Sequence, residues 1–234
     1  MSRISQEMAL VRRNLHSRRG QFHPECQRTF VLPDILPEDD FARLRDLVIE
    51  NKSLFVRKDT FVRQGAAMGG HELRDSPCAP FAERLVGPEF LERVRSRTGI
   101  PELEFVPEAD TNQLSLLYYG NAGDGIDWHV DGTIYLGDRW AGILTLVEDT
   151  HDADAKLELQ PGGERQTLPA QQMPNTLVLF QGDQVRHRVR PMAAGEERVV
   201  VSLLLSTNPV RTRNPLLRVY QAWVNHIFYG NPRA

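Results

Sequence analysis

The sequence lacks three features that would each indicate a particular class of protein. Only Cys26 and Cys78 are cysteines among 234 residues, too few for the disulfide framework of small secreted domains. No apolar run reaches the roughly 18 residues that a membrane-spanning helix needs. Lysine and arginine number 28 against 31 acidic residues, a net charge of −3. We therefore expect no electrostatic attraction to nucleic acid or to an anionic membrane.

The remaining bulk properties are those of a soluble globular protein. Apolar residues make up 41% and charged residues 25% of the chain, both ordinary values. The N-terminus carries arginines and serines but no short apolar core of a secretory signal. With two cysteines that we expect to be reduced thiols, these features predict a cytoplasmic protein. The sequence leaves its oligomeric state open.

Apolar spacing divides the chain into a helical part and a strand-rich part. We predict a single domain over residues 1–234, with a helical part at 1–100, a β core at about 101–206 and a helical segment at 207–234. Helices are predicted at 3–19, from Pro37 to about residue 48, at 80–98 with a break at Gly87-Pro88, and at 214–229. The Gly- and Ala-rich stretch at 63–78 predicts a mobile loop and a candidate lid.

His129, Asp131 and His187 are the predicted metal ligands. Residues two apart in an extended strand point to the same side, so His129 and Asp131 can reach one metal while Val130 faces away. His187 lies in a later predicted strand. Two imidazoles and one carboxylate form the facial triad of non-haem Fe(II) oxygenases, which leaves metal positions open. A lone His-x-Asp is more often structural, so the surrounding sequence decides.

That surrounding sequence, from about Gln113 to Ser206, resembles the 2-oxoglutarate/Fe(II)-dependent dioxygenases and, within them, the prolyl-hydroxylase-like branch. The matching runs are QLSLLYYG at 113–120, WHVDG at 128–132, TLVED at 145–149, TLVLF at 176–180, HRVRP at 187–191 and GEERVVVS at 195–202. The resemblance implies an α+β, mainly β fold, with a double-stranded β-helix (jelly-roll) core and flanking helices. The family's Gly-Gly pair before the strand at 156–160 is replaced by residues 152–155, which predicts a remodelled loop.

The resemblance also implies a co-substrate site. Arg198 occupies the place of the basic residue that pairs with the distal carboxylate of 2-oxoglutarate, and Tyr119 resembles a tyrosine that hydrogen-bonds the same carboxylate. Tyr118 faces the other way, and the sequence does not decide between the two tyrosines. Ser202 shares the strand face of Arg198 and could add a hydroxyl group. The plainer alternatives are a solvent-facing arginine and two core tyrosines.

The implied cofactors are Fe(II), 2-oxoglutarate as co-substrate and dioxygen, and the implied activity is hydroxylation of a small molecule. Desaturation and cyclisation stay open. A free amino acid or a biosynthetic intermediate is the expected substrate, and the candidate contacts, chosen because they flank the metal ligands in sequence, are Asn112, Gln113, Asp127, Trp128 and Arg139.

Three other functions compete with this interpretation. A peptidyl-residue hydroxylase and a non-catalytic, metal-containing β-barrel that binds a small molecule remain open alternatives. A nucleic-acid demethylase is disfavoured, because Leu204 stands where that branch of the superfamily carries a second arginine six residues after Arg198.

Overall fold

The computed structural model describes residues 2–18, 28–57, 59–60, 62–219 and 222, which form antiparallel sheets with helices packed on one of them. The helices are α1 (Arg3–Arg18), α2 (Glu38–Glu50), α3 (Gly70–Arg74), α4 (Ala79–Leu85) and α5 (Pro88–Thr98). The strands are β1 (Thr29–Leu32), β2 (Val56–Arg57), β3 (Arg63–Gln64), β4 (Ala66–Met68), β5 (Glu104–Phe105), β6 (Leu114–Tyr119), β7 (Gly125–His129), β8 (Arg139–Asp149), β9 (Leu157–Gln160), β10 (Leu177–Phe180), β11 (Arg186–Val189) and β12 (Glu197–Ser206).

The strands belong to two sheets of unequal size. The major sheet has the order β1-β10-β8-β12-β6-β4-β2, with β5 also paired to β12, and the minor sheet has the order β3-β7-β11-β9. Every strand pair described is antiparallel. The predicted α+β, mainly β class is confirmed.

Strand β12 separates the two sides of the major sheet. Val199 and Val201 join the core under helices α2 to α5, whereas Arg198 and Val200 line a cavity on the other side. The alternation follows from the two-residue period of a strand, and it matches the predicted faces. The major sheet is therefore buried on both sides along this strand.

The first hundred residues are less helical than predicted. Helices α1, α2, α4 and α5 lie where helices were expected, and α4 and α5 are separate across the predicted break at Gly87-Pro88. Strands β1 to β4 were missed. The stretch at 63–78 is not a plain loop, because it contributes β3 to the minor sheet, β4 to the major sheet and helix α3. Pairing with β7 and β6 overrides its weak local pattern.

Some predictions fall partly outside the described residues. Residues 215–219 are helical, as predicted, but the rest of the predicted helix at 214–229 lies largely outside the described residues, as does Cys26. Cys78 is a buried free thiol. Within the described ranges, no helix is long and apolar enough to cross a membrane.

A buried ion pair fixes the loop that was predicted to be remodelled. Lys156 Nζ lies 2.6 Å from Glu196 Oε2, and the two side chains are 4% and 1% exposed. Burial alone would raise the pKa of Glu196, but Lys156 and donors that include the backbone N–H groups of Ala193 and His151 outweigh it and lower that pKa to about 2. The ionised form of Glu196 is therefore favoured in the folded state.

We predict that Glu196→Gln lowers the free energy of unfolding at neutral pH by roughly 3 kcal/mol. Because the folded-state pKa lies below the ordinary value of 4.5, the contribution is complete above pH 4.5 and is lost as the pH falls towards 2. Urea unfolding of both proteins across this range measures the difference. Glu164→Gln, at an exposed position, is the control. A difference that stays constant with pH would contradict the assignment.

Candidate functional site

A cavity of about 310 Å³ lies between the two sheets. Strand β12 contributes Arg198, Val200 and Ser202 to its wall, and the minor sheet contributes residues from all four of its strands. The further lining residues are Val62, Arg63, Asn112, Leu117, Tyr119, Ile126, His129, Val130, Asp131, Gly132, Arg139, Ala141, Ile143, Leu157, Phe180, His187, Val189, Leu203 and Leu204.

Strand pairing places the two predicted metal-ligating histidines side by side. His129 of β7 is directly opposite His187 of β11, and their ring centroids are 4.1 Å apart. A bulge follows, in which the next pair is Ile126 with Val189. Two residues, Asp127 and Trp128, thus lie between Ile126 and His129 on β7, yet both Ile126 and His129 line the cavity. Without the extra residue, one of the two would face outward.

Each imidazole is oriented by a backbone carbonyl two residues earlier. His129 Nδ1 is 2.7 Å from the carbonyl oxygen of Asp127, and His187 Nδ1 is 2.9 Å from that of Val185. The carbonyls accept a hydrogen bond, so Nδ1 carries the proton in both rings. This leaves each Nε2 with a lone pair for a metal.

Asp131 completes the group from just beyond the end of β7. Its backbone N–H donates to the carbonyl oxygen of Gly182 at 2.9 Å. Its Oδ1 is 3.9 Å from Nε2 of both His129 and His187, and its Oδ2 accepts a hydrogen bond from Arg139 Nε at 3.1 Å. The three ligand atoms lie within 4.8 Å of one another, so the group could hold a metal ion.

The protonation states also suit a metal. Burial, helped by His129, lowers the pKa of His187 to about 4, so this imidazole is neutral at neutral pH. Burial of Asp131 acts to raise its pKa, but Arg139 and the two imidazoles outweigh that effect, and its pKa lies below the ordinary value. Two imidazole nitrogens and one carboxylate oxygen are the donor set of a 2-His-1-carboxylate site. The residues present therefore fit Fe(II).

The wall formed by β12 contributes a buried arginine, Arg198. Arg198 is 1% exposed, and its Nε donates to Glu148 Oε2 at 2.7 Å. Its Nη2 is buried and has no hydrogen-bond partner in the part of the chain that the structure describes. A buried guanidinium nitrogen without an acceptor is costly. It is suited to a carboxylate that enters the cavity, so the residues also fit 2-oxoglutarate.

Solved structures similar to this chain include a non-haem α-ketoglutarate-dependent epimerase and a member of the 2OG-Fe(II) oxygenase family. The epimerase SnoN, in complex with Fe3+, α-ketoglutarate and nogalamycin RO, matches with a TM-score of 0.56 and 15% identity over 85% of this chain and 84% of that chain. EvdO2 from Micromonospora carbonacea var. aurantiaca, complexed with 2-oxoglutarate, matches with a TM-score of 0.55 and 18% identity over 87% and 93% of the two chains.

A third similar structure is a prolyl hydroxylase from Trichoplax adhaerens in complex with a hypoxia-inducible-factor peptide fragment. It matches with a TM-score of 0.55 and 15% identity over 86% of this chain and 93% of that chain. The chain has the fold of the 2-oxoglutarate/Fe(II) oxygenases. The resemblance predicted from sequence is confirmed at this level. No protein-family model matches the sequence, and no curated protein matches it.

Within this oxygenase fold, the two neighbouring tyrosines have different surroundings. Tyr119 is buried and lines the cavity, and Arg198 lies 5.9 Å from its ring centroid. Tyr118 packs on the other side of the sheet, 5.7 Å from Phe55 between ring centroids. Ser202 also lines the cavity, but it is four residues from Arg198 along β12, about 13 Å at the usual rise per residue.

The predicted substrate contacts divide into two groups. Asn112 and Arg139 line the cavity. Gln113, Asp127 and Trp128 are not among its lining residues, and each has other contacts. Gln113 Nε2 donates to the carbonyl oxygen of Val106 at 2.7 Å.

On β7 the backbone of Asp127 pairs with Val62. The Trp128 ring lies 4.8 Å from the guanidinium carbon of Arg188, on the outer side of the bulge. Proximity in sequence to the metal ligands was the only signal for these residues, and Trp128, as the neighbour of His129 in β7, faces away from the cavity.

Three residues of the site were not identified from sequence. Arg63 is 2% exposed and lines the cavity from β3. Glu148 holds Arg198. A Cβ added at Gly182 would lie 2.3 Å from Asp131 Oδ2, so only glycine leaves room for the carboxylate in this position. The available signal for Glu148 was its position near the end of the TLVED run at 145–149.

We predict that Gly182→Ala weakens metal binding by at least about tenfold, because the new methyl group must displace the Asp131 carboxylate. Isothermal titration with Mn(II), a redox-stable substitute for Fe(II), measures the change. Gly142→Ala is the matched control, since its added methyl group would contact Leu177 and Leu203 in the core, 3.2 and 3.3 Å away. It should alter stability but not metal affinity. Equal metal affinity in Gly182→Ala and the parent would contradict the assigned position of Asp131.

Proposed function

We propose that this protein is a non-haem Fe(II)- and 2-oxoglutarate-dependent oxygenase that hydroxylates a small molecule. The proposal rests on three potential ligand atoms, His129 Nε2, His187 Nε2 and Asp131 Oδ1, which lie within 4.8 Å of one another beside the cavity. The cavity wall also holds Arg198 Nη2, a hydrogen-bond donor with no acceptor among the described residues. The fold of the similar oxygenases supports it. We further propose that the two sheets form the jelly-roll of that fold within a single domain.

The chain's own residues would divide the work as follows. His129, Asp131 and His187 would hold the metal, and Arg139 would keep Asp131 ionised and oriented through its 3.1 Å hydrogen bond. Arg198, with Tyr119 beside it, would bind the distal carboxylate of 2-oxoglutarate. When bound, iron supplies the activation of dioxygen, coupled to oxidative decarboxylation of 2-oxoglutarate. The protein supplies orientation and a wall that excludes water.

The apolar part of the wall would keep the reacting C–H bond away from solvent. Leu117, Ile126, Ile143, Val189 and Val200 all line the cavity, and such an apolar surface offers no hydrogen-bonding groups that would hold water beside the reacting position. Asn112 and Arg139 are the predicted substrate contacts that lie in the same cavity. We propose that they bind polar groups of a free amino acid or biosynthetic intermediate.

A peptidyl substrate is the second candidate, supported by the similar prolyl hydroxylase in complex with a peptide fragment. Against it stands the burial of the described site: the side chains of His129, Asp131 and His187 are 26%, 20% and 10% exposed. Succinate formation stimulated by free amino acids but not by short peptides would distinguish the small-molecule hydroxylase from this alternative.

Removal of a metal ligand should separate iron binding from folding. We predict that His187→Ala abolishes stoichiometric Fe(II) binding and reduces succinate formation from 2-oxoglutarate to background. His71→Ala, at a partly exposed position on α3, should retain both. Metal analysis after desalting and succinate quantification by NMR measure the outcome. Full iron content in His187→Ala would show that the triad is assigned wrongly.

Removal of the anchor should affect 2-oxoglutarate far more than iron. We predict that Arg198→Ala raises the apparent KM for 2-oxoglutarate by roughly 30-fold or more, the equivalent of losing about 2 kcal/mol from a buried charge-assisted contact. Fe(II) affinity should change less than threefold, because Arg198 contacts none of the ligands. Steady-state kinetics with 2-oxoglutarate as the varied substrate provide the measurement. An unchanged KM would assign the carboxylate to another residue.

A further inference from the structure

Glu148 occupies its position because of an irregularity in the major sheet. Along β12 and β8, Val200 pairs with Thr145 but Val199 pairs with Val147, so Leu146 is an extra residue in β8. With a regular register, Val147 would lie opposite Arg198. The bulge instead places Glu148 there. Bulges commonly redirect side chains near functional sites.

Both carboxylate oxygens of Glu148 are engaged, and its side chain is 0% exposed. Oε2 accepts from Arg198 Nε at 2.7 Å, and Oε1 accepts from the backbone N–H of Lys156 at 2.6 Å. Lys156 begins the segment that leads into β9, directly after the remodelled loop, and its side chain is fixed by Glu196. Glu148 is thus held rigidly on the side away from Arg198.

The contact determines the orientation of the whole guanidinium group. A guanidinium is planar and its five N–H bonds have a fixed geometry. Holding Nε therefore fixes the plane and the direction of both Nη atoms. The Nη2 atom is buried and has no acceptor among the residues that the structure describes, and Arg198 lines the cavity. Glu148 occupies the Nε side of the group and leaves that nitrogen for a ligand.

The pair also reduces the cost of burying Arg198 before any ligand binds. An isolated cation in this interior would be strongly destabilising, and a hydrogen-bonded counter-charge offsets much of that cost. Tyr119, the cross-strand neighbour on the other side of Arg198, supplies an aromatic face rather than a second anion. The guanidinium is accordingly neutralised on one side only.

We propose that Glu148 is a positioning residue for the co-substrate: it holds Arg198 by Nε and thereby presents the remaining N–H groups to the distal carboxylate of a 2-oxo dicarboxylic acid. This inference rests on the proposed function, since it assumes that Arg198 binds that carboxylate. Glu148 itself touches neither the metal nor the co-substrate.

The test compares two co-substrate analogues that differ only at the distal end. 2-Oxoglutarate has a distal carboxylate, whereas 2-oxobutanoate has the same 2-oxo acid head without it. Isothermal titration of both into the Mn(II)-loaded protein gives two dissociation constants, and their ratio reports the carboxylate contact alone. Parent, Glu148→Ala and Glu148→Gln are compared. Glu158→Ala is the matched control, because Glu158 also accepts from a cross-strand arginine, Arg188 Nε at 2.5 Å, but on the outer face of the minor sheet.

We expect Glu148→Ala to reduce the preference for 2-oxoglutarate by about tenfold, the equivalent of one hydrogen bond to a charged group, with 2-oxobutanoate binding unchanged. Glu148→Gln retains an acceptor for Arg198 Nε and should recover part of the preference. Glu158→Ala should keep the parental ratio. An unchanged or higher ratio in Glu148→Ala, or an equal loss for both ligands, overturns the positioning role. If the parent itself shows no preference, the assignment of Arg198 in the proposed function fails as well.

Discussion

The antiparallel pairing of β7 with β11 is the constraint on which the site depends. It sets His129 opposite His187, and the carbonyl groups of the same two chain segments orient both imidazoles. The bulge beside this pair returns Ile126 to the cavity. Loss of this register would separate the two Nε2 atoms and turn one wall of the cavity outward. The two histidines of the candidate metal site are therefore placed by sheet geometry, and Asp131 joins them from just beyond the end of β7.

Two arginines of the cavity wall are held by carboxylates in the same way. Arg139 and Arg198 both line the cavity, and each is held through Nε by a carboxylate: Asp131 for the first and Glu148 for the second. In one case the carboxylate is a predicted metal ligand, and in the other it has no contact with the metal. The same type of interaction thus serves two purposes. In the proposed site, the contact at Asp131 would maintain an anionic ligand, and the contact at Glu148 would direct a cation towards an incoming anion.

Much of the candidate site could be predicted from sequence because side chains in a strand alternate between the two faces of the sheet. The His-x-Asp spacing, the alternation of Arg198, Val200 and Ser202 with Val199, Val201 and Leu203, and the helix stripes all follow from local pattern. The features that could not be predicted from sequence depend on pairing between segments that are distant in the chain. The stretch at 63–78 has little periodicity, so its two strands and the buried Arg63 are defined only by β7 and β6. Bulges add one residue to one strand, which no local pattern predicts, and they decide the positions of Ile126 and Glu148.

The most direct test of this account is an anaerobic titration of Fe(II) into the protein in the presence of 2-oxoglutarate, followed by visible absorption. A 2-oxo acid that chelates Fe(II) through its keto oxygen and carboxylate gives a charge-transfer band that neither partner shows alone. The band should rise to an end point at one iron per chain, and it should be absent with succinate in place of 2-oxoglutarate. Iron binding without the band, or a band that does not saturate at one equivalent, would contradict a single site built from His129, Asp131 and His187.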